Sequence, residues 1–209
     1  MDTFQEGIVV KSTGNEYEVR TAGGSMLRCK LRGQFRMKGI KSTNPIAVGD
    51  HVRFQAEDRV ITEIEPRKNY ITRKSIKLSK ISHIIAANID QLVLVISMCK
   101  PVTPLGFIDR FLTAAESFRI KCCLAFNKTD LYGPQETERM KQLQELYEKI
   151  GYPCLRLSAT KGEGLEVLKS LMQDKISLMG GQSGVGKSTL INAISPQLHL
   201  KTGEISNRY

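Results

Sequence analysis

Apolar and polar positions alternate with a period of two through residues 1–66. Such alternation is typical of strands that bury one face, and glycine-containing turns separate the alternating stretches. The predicted strands are residues 7–11, 17–20, 26–31, 51–54 and 60–64. Five short strands with a longer connection after the third predict a small all-β barrel of the OB type, whose strand face and loops commonly bind oligonucleotides. An SH3-like barrel fits the same pattern almost as well.

Aromatic residues that could stack on nucleic-acid bases are few in this predicted barrel. The candidates are Tyr17, Phe35 and Phe54, and the chain contains no tryptophan. We expect each of the three to be a core residue rather than part of a base-stacking platform.

The hydrophobic pattern changes in the second part of the chain. Continuous apolar runs replace the alternation, as expected for parallel strands covered on both faces. These runs are residues 91–97, 120–126, 154–157 and 176–180. The segments with apolar residues at helical spacing are 105–118, 135–150, 163–173 and 189–194. Strands alternating with helices predict an α/β domain whose ligand-binding loops lie at the carboxyl ends of the strands.

The charge of the chain is distributed unevenly. The formal net charge is +10, and residues 67–82 hold six basic residues and no acidic one. These basic residues are Arg67, Lys68, Arg73, Lys74, Lys77 and Lys80. Like charges keep such a segment extended and suit it to the phosphates of nucleic acid. A solvated linker accounts for the same composition equally well, so composition leaves both interpretations open.

Nothing in the sequence predicts a membrane or secreted protein. The longest apolar run, residues 92–96, is far shorter than the ~18 residues that cross a bilayer. Asp2 and Glu6 lie where the apolar core of a signal peptide would be. Five cysteines without a C-x-x-C pair predict reduced thiols in a cytosol. We therefore expect a cytoplasmic protein.

A phosphate-binding loop is predicted between a strand and a helix. Residues 181–188 (G-Q-S-G-V-G-K-S) match G-x-x-x-x-G-K-[ST], whose backbone N–H groups cradle phosphates at a helix N-terminus. Lys187 should reach the β- and γ-phosphates and Ser188 should bind Mg²⁺, which makes these two the catalytic candidates. The candidate nucleotide-binding residues are Gly181, Gln182, Ser183, Gly184, Val185, Gly186, Lys187, Ser188 and Thr189. This loop does not select a base, because ATPases, kinases and GTPases share it.

Two further segments at strand ends have the composition of guanine-reading loops. Residues 127–130 (N-K-T-D) match N-K-x-D, and the carboxylate of Asp130 can accept hydrogen bonds from both N1–H and N2–H₂ of guanine. Adenine would leave that carboxylate unpaired. Residues 158–160 (S-A-T) match S-A-x, which would bring the N–H of Ala159 to guanine O6. The candidate base-binding residues are Asn127, Lys128, Asp130, Ser158 and Ala159. An asparagine-lysine turn ending in a helix cap would explain N-K-x-D alone, but three such loops at one sheet edge predict guanine nucleotide binding.

The order of these motifs is inverted relative to ordinary GTPases, because Asn127 precedes Gly181. With an N-terminal small barrel, this order resembles the ribosome small-subunit-dependent GTPase A family (RsgA, also called YjeQ). Further matching segments are residues 48–50, 65–67, 86–90, 108–110, 115–116 and 151–152. The resemblance implies a cytoplasmic bacterial GTPase that binds GTP, GDP and Mg²⁺. It also implies binding to the maturing small ribosomal subunit, contact with its rRNA, and faster GTP hydrolysis there.

The chain also departs from this family. The family continues beyond the phosphate-loop helix into a switch, a D-x-x-G element and a Cys/His zinc domain, whereas the D-x-x-G at 130–133 begins with the base-reading Asp130. We therefore expect a longer protein, with zinc bound only in its C-terminal domain. Without the additional strands, residues 176–180 would form an exposed sheet edge.

The combined interpretation is a monomer with an OB-like RNA-binding barrel (1–66), a basic connector (67–88) and a circularly permuted GTPase domain (89–209), incomplete at its C-terminus. The alternative is a non-catalytic RNA-binding module gated by guanine nucleotide. A P-loop kinase is disfavoured by residues 127–130. His199, which follows the phosphate loop in sequence, is the candidate for positioning the attacking water, although we expect it to be an exposed loop residue.

Overall fold

The five strands predicted in the first part of the chain close into a barrel. The computed structural model describes residues 3–31, 45–74 and 82–200. The barrel strands are β1 (Phe4–Thr13), β2 (Glu16–Thr21), β3 (Met26–Leu31), β4 (His51–Gln55) and β5 (Val60–Ile64). Their order is β1-β2-β3-β5-β4, with β1 antiparallel to both β2 and β4 and with β3 parallel to β5. The predicted OB-like barrel is confirmed.

The barrel core contains two of the three aromatic candidates. Tyr17 and Phe54 are 1% and 0% exposed and pack with the apolar side chains of the barrel interior. A ring enclosed on all sides cannot stack on a base, so these two residues are core residues, as expected. Phe35 lies outside the described residues.

Two strands follow the barrel within the segment predicted to be a connector. β6 (Tyr70–Lys74) and β7 (Ser82–Ala87) pair in antiparallel register, with Tyr70 opposite Ala87. Both belong to the first of two compact units, Met1–Ile89. The sequence pattern did not predict these strands, because the basic residues near them suggested an extended, solvated segment. Arg73 and Lys74 end β6, whereas Lys77 and Lys80 lie outside the described residues.

A buried ion pair fixes the loop before β4. Arg67 donates through Nε to Asp50 Oδ1 and through Nη2 to Asp50 Oδ2, both at 2.6 Å. The side chains of Arg67 and Asp50 are only 4% and 0% exposed. Gly49 has a φ of +91°, and a Cβ there would collide with the carbonyl of Ala87. Removing one member of such a pair costs about 3–5 kcal/mol, because the other charge stays buried.

The second unit, Asp90–Tyr209, is an α/β domain. Its sheet has the order β10-β9-β8-β11, and neighbouring strands are parallel. The elements are β8 (Gln91–Ile96), α1 (Leu105–Ser117), β9 (Lys121–Phe126), α2 (Pro134–Lys149), β10 (Cys154–Arg156), α3 (Leu165–Met172), β11 (Ser177–Gly180) and α4 (Lys187–Ile194). Short 3₁₀ turns occupy Thr129–Leu131 and Pro196–Leu198. Within the described residues β11 is an edge strand, as predicted.

All six residues of β8 are buried, which is why that segment shows no alternation of apolar and polar residues.

Local sequence also explains where α2 begins. Pro134 opens α2, and the carboxylate of Glu136 accepts a hydrogen bond from the N–H of Gly133 at 3.0 Å. This cap fixes the end of the loop that carries the N-K-x-D motif.

The cysteines of the sheet are structural. Burial raises the pKa of Cys122, Cys123 and Cys154 to about 12, so these thiols stay protonated at neutral pH. All five cysteines are free.

No helix within the described residues is both long enough and apolar enough to cross a membrane.

Candidate nucleotide site

Three loops that follow β9, β10 and β11 form the candidate site. They carry the N-K-x-D, S-A-x and G-x-x-x-x-G-K-[ST] motifs. Because the strands are parallel, their carboxyl ends lie at one edge of the sheet. The structure thus brings together residues that are 50 or more positions apart, such as Asn127 and Val185, which are 58 positions apart and directly hydrogen-bonded.

The phosphate loop has the backbone conformation that requires glycine. Gly181, Gly184 and Gly186 have φ angles of +143°, +80° and +95°. A Cβ on Gly181 would collide with the carbonyl of Val95. α4 begins directly afterwards at Lys187, so its free N–H groups and the positive end of its dipole face the loop. This arrangement suits the binding of phosphate oxygens.

The ammonium group of Lys187 lies against the phosphate loop. Its Nζ donates hydrogen bonds to the carbonyl oxygens of Gly181 at 2.9 Å and Gln182 at 2.6 Å. Burial lowers the pKa of Lys187 from its ordinary value. A cation partly removed from water attracts phosphate more strongly than a fully solvated one.

Asn127 ties the three loops together. Its side chain is buried, with Nδ2 donating to the carbonyl of Val185 at 2.8 Å and Oδ1 accepting from the N–H of Ala159 at 3.4 Å. A Cβ on Gly186 would collide with this same amide, which is a second reason for glycine there. The N–H of Ala159, predicted to meet guanine O6, therefore already shares a long hydrogen bond within the site.

Lys128 bridges the base-reading loop to the phosphate loop. It adopts a left-handed conformation, with a φ of +67°. Its Nζ donates to the carbonyl of Gly184 at 2.7 Å and to the carbonyl of Lys100. Burial lowers the pKa of Lys128, while Cys99 and Asp130 act in the opposite direction. The aliphatic stem is thereby held between the two loops.

Asp130 presents a carboxylate whose two oxygens are both held by hydroxyl groups. Ser158 Oγ donates to Oδ1 at 2.6 Å, and Thr160 Oγ1 donates to Oδ2 at 3.1 Å. The hydrogen bond from Ser158, followed by that from Thr160, holds the pKa of Asp130 below its ordinary value. Since a lowered pKa favours the ionised form, the carboxylate remains an acceptor down to more acidic pH.

Two residues of the site were not identified from the sequence. Tyr132 donates its hydroxyl to the carbonyl of Asn127 at 2.8 Å and accepts from the N–H of Met98 at 3.0 Å. Thr160 contacts Asp130 directly. The sequence signals for them were weak: a tyrosine two positions after Asp130 and a threonine two positions after Ser158.

Among the remaining candidates, Ser188 and Thr189 lie in the first turn of α4, and Ser183 is exposed in the loop. Mg²⁺ in nucleotide sites takes one or two protein oxygens together with phosphates and waters. The hydroxyl of Ser188 beside the phosphate loop fits that donor set. Among the described residues there is no cluster of three or more acidic, cysteine or histidine ligands. His199 is exposed after the second 3₁₀ turn.

Comparisons with known proteins agree with this architecture. The family model for the RsgA N-terminal domain matches residues 6–62, and that for the RsgA GTPase matches residues 64–209. A Bacteroides thetaiotaomicron protein named small ribosomal subunit biogenesis GTPase RsgA 2 is 52% identical over 204 residues, which cover 96% of this chain and 66% of that protein. A Flavobacterium psychrophilum protein named small ribosomal subunit biogenesis GTPase RsgA is 49% identical over 208 residues, covering 97% and 64%. The chain thus spans just under two thirds of the length of these relatives.

Two solved structures are similar to the chain over nearly its whole length. The crystal structure of YjeQ from Thermotoga maritima superimposes with a TM-score of 0.80 at 37% identity, covering 96% of this chain and 68% of that one. The structure of YloQ, described as a circularly permuted GTPase, gives a TM-score of 0.70 at 35% identity, covering 95% and 67%. Barrel, inverted motif order and both family matches agree, and the chain belongs to the RsgA GTPase family.

Proposed function

We propose that the protein binds GTP between the three loops and hydrolyses it to GDP and phosphate during late maturation of the small ribosomal subunit. The observation that carries this proposal is the Asn127 side chain, which joins the base-reading loop to the phosphate loop through Val185. A carboxylate acceptor at Asp130 and an ammonium at Lys187 then flank one site. The relatives' names associate this architecture with small-subunit biogenesis.

In the proposed complex, charge neutralisation and positioning perform the chemistry. Lys187 and the N–H groups of residues 183–186 bind the β- and γ-phosphates. Asn127, Lys128 and Asp130 hold guanine together with Ser158 and Ala159. Mg²⁺, held through Ser188, would neutralise phosphate charge. Water attacks the γ-phosphorus as the bond from that phosphorus to the β–γ bridging oxygen breaks, which yields GDP and phosphate.

The second candidate function is a non-catalytic module in which guanine nucleotide only gates RNA binding. It is favoured by the exposure of His199, the residue that the sequence offered for positioning the attacking water. Single-turnover hydrolysis of GTP, measured with and without small ribosomal subunits, separates the two functions. We expect phosphate release that subunits accelerate. Binding of GTP without phosphate release under either condition would favour the gating module.

We further propose that the protein acts in the cytoplasm as a monomer and contacts rRNA through the basic residues of segment 67–82 other than Arg67, whose side chain is buried against Asp50. Arg73 and Lys74 end β6, where their backbone positions lie opposite His83 and Ser82 of β7. β-Ribbons carrying basic residues are one way in which proteins approach nucleic-acid grooves.

Reversing the charge at Lys74 and Lys77 is expected to weaken rRNA binding and to flatten its dependence on salt concentration. Each lost phosphate contact removes about one unit from the slope of log K against log salt. Fluorescence anisotropy with an rRNA fragment across a salt series measures both quantities. The double variant Arg139→Glu/Lys141→Glu, on the exposed surface of α2, provides a control with the same change in net charge. Equal slopes of log K against log salt for the two double variants would contradict the RNA contact and would favour a solvated linker.

A further inference from the structure

Thr160 lies on a turn whose backbone is closed by its own hydrogen bonds. The N–H of Ser158 donates to the carbonyl of Glu163, and the N–H of Glu163 donates back to the carbonyl of Ser158, both at 3.1 Å. The N–H of Lys161 donates to Ser158 Oγ at 3.1 Å. Gly162 and Gly164 provide the positive φ angles, +76° and +70°, that complete the turn. Thr160 is therefore presented at a fixed place.

This turn holds the carboxylate of Asp130 at two points. Ser158 Oγ donates to one oxygen at 2.6 Å, and Thr160 Oγ1 donates to the other at 3.1 Å. The two hydroxyl oxygens are also 3.2 Å apart. Each carboxylate oxygen has a second lone pair, so both remain able to accept another hydrogen bond. With one anchor the carboxylate could rotate about its bond to the side chain, whereas two anchors fix its plane.

We propose that Thr160 is a specificity-determining positioning residue, whose hydroxyl fixes the plane of the Asp130 carboxylate so that both oxygens accept from guanine together. This inference rests on the proposed binding of guanine nucleotide. Two parallel hydrogen bonds, from N1–H and N2–H₂, need a fixed plane. Hypoxanthine lacks the 2-amino group and offers only N1–H, and a single hydrogen bond tolerates a rotated carboxylate. Loss of the Thr160 hydroxyl therefore affects guanine more than hypoxanthine.

The test is the affinity of the 209-residue chain for GDP and for IDP, measured by calorimetry in the parent, Thr160→Val and Thr160→Ser. We expect Thr160→Val to lower GDP affinity roughly fivefold to tenfold and IDP affinity no more than about twofold, which narrows the GDP to IDP ratio. Thr160→Ser keeps the hydroxyl and should restore the parental ratio. Thr113→Val removes a hydroxyl that bonds only the carbonyl of Asp109 on α1, and should change neither affinity.

An unchanged GDP to IDP ratio in Thr160→Val would overturn the inference, as would failure of Thr160→Ser to restore it. Thermal unfolding of each variant beside Thr113→Val reports whether the turn still folds, and Thr160→Ala, which is smaller, repeats the measurement if valine disturbs it. A parent chain that binds ADP as tightly as GDP would instead contradict the proposed guanine site itself. The two failures are therefore distinguishable.

Discussion

Replacement of Asp130 by asparagine is expected to lower the affinity for GTP by about 100-fold and to admit xanthosine triphosphate. The carboxylate accepts two hydrogen bonds from guanine in the proposed complex, whereas the amide of asparagine offers one acceptor and places an N–H₂ donor opposite the guanine 2-amino group. Xanthine carries a carbonyl at that position, which accepts from the amide. Ser158 and Thr160 bond different oxygens of the carboxylate, so one hydroxyl can still donate to the amide oxygen and the other can accept from the amide N–H₂, and the loop should keep its fold.

Displacement of a bound fluorescent guanine nucleotide by GTP or by xanthosine triphosphate measures the affinity of the variant for each triphosphate. The parent protein provides the reference, and circular dichroism checks that the variant is folded. If the variant bound GTP with the affinity of the parent, the proposal that Asp130 binds guanine would be wrong.

Replacement of Lys187 by alanine should reduce GTP hydrolysis by about 100- to 1,000-fold and should weaken binding of the triphosphate more than that of the diphosphate. The ammonium is held at 2.9 and 2.6 Å from two carbonyl oxygens of the loop that binds the phosphates in the proposed complex. In the proposed complex, its partial burial would strengthen its attraction for the γ-phosphate. Alanine removes that charge and leaves the two carbonyl oxygens without a donor.

Single-turnover phosphate release and titrations with GTP and GDP measure the two effects. Lys175→Ala is the matched control, because its Nζ donates to the carbonyl of Leu171 on the exposed end of α3. Lys175→Ala should behave as the parent. Equal losses of GTP and GDP affinity in Lys187→Ala would mean that Lys187 does not contact the γ-phosphate.

The elements of the barrel and of the α/β domain were predictable because burial leaves a periodic pattern in the sequence. Val52 and Phe54 are buried on either side of the exposed Arg53, and β8 shows none of this alternation because both of its faces are covered. β6 and β7 were missed because the basic residues near them suggested an extended, solvated segment, although the two strands lie close together along the chain, with Lys74 opposite Ser82. The hydrogen bonds of Asn88 beside β7, which accepts from the N–H of Lys68 and donates to the carbonyl of Gly49, join residues that no local pattern connects.

Motif spacing also predicted most of the candidate site, since glycines and the lysine of a phosphate loop occupy fixed positions. The partners of these residues left no such signal. Tyr132 and Thr160 act through single hydroxyl groups, whose value depends on where Asn127 and Asp130 lie in space. A side chain that positions another side chain can be recognised only when the distance between the two in the folded protein is known.

The place of β11 at the end of the sheet has a consequence for how the protein is made. Chains emerge from the ribosome in sequence order, and domains fold as they appear. The base-reading loop is complete when residue 163 has emerged, but the strand that flanks β8 and leads to Lys187 comes later. A nascent chain therefore exposes the residues proposed to read guanine before those proposed to bind the triphosphate. In the proposed site, nucleotide can be held at both ends only after Lys187 has been translated.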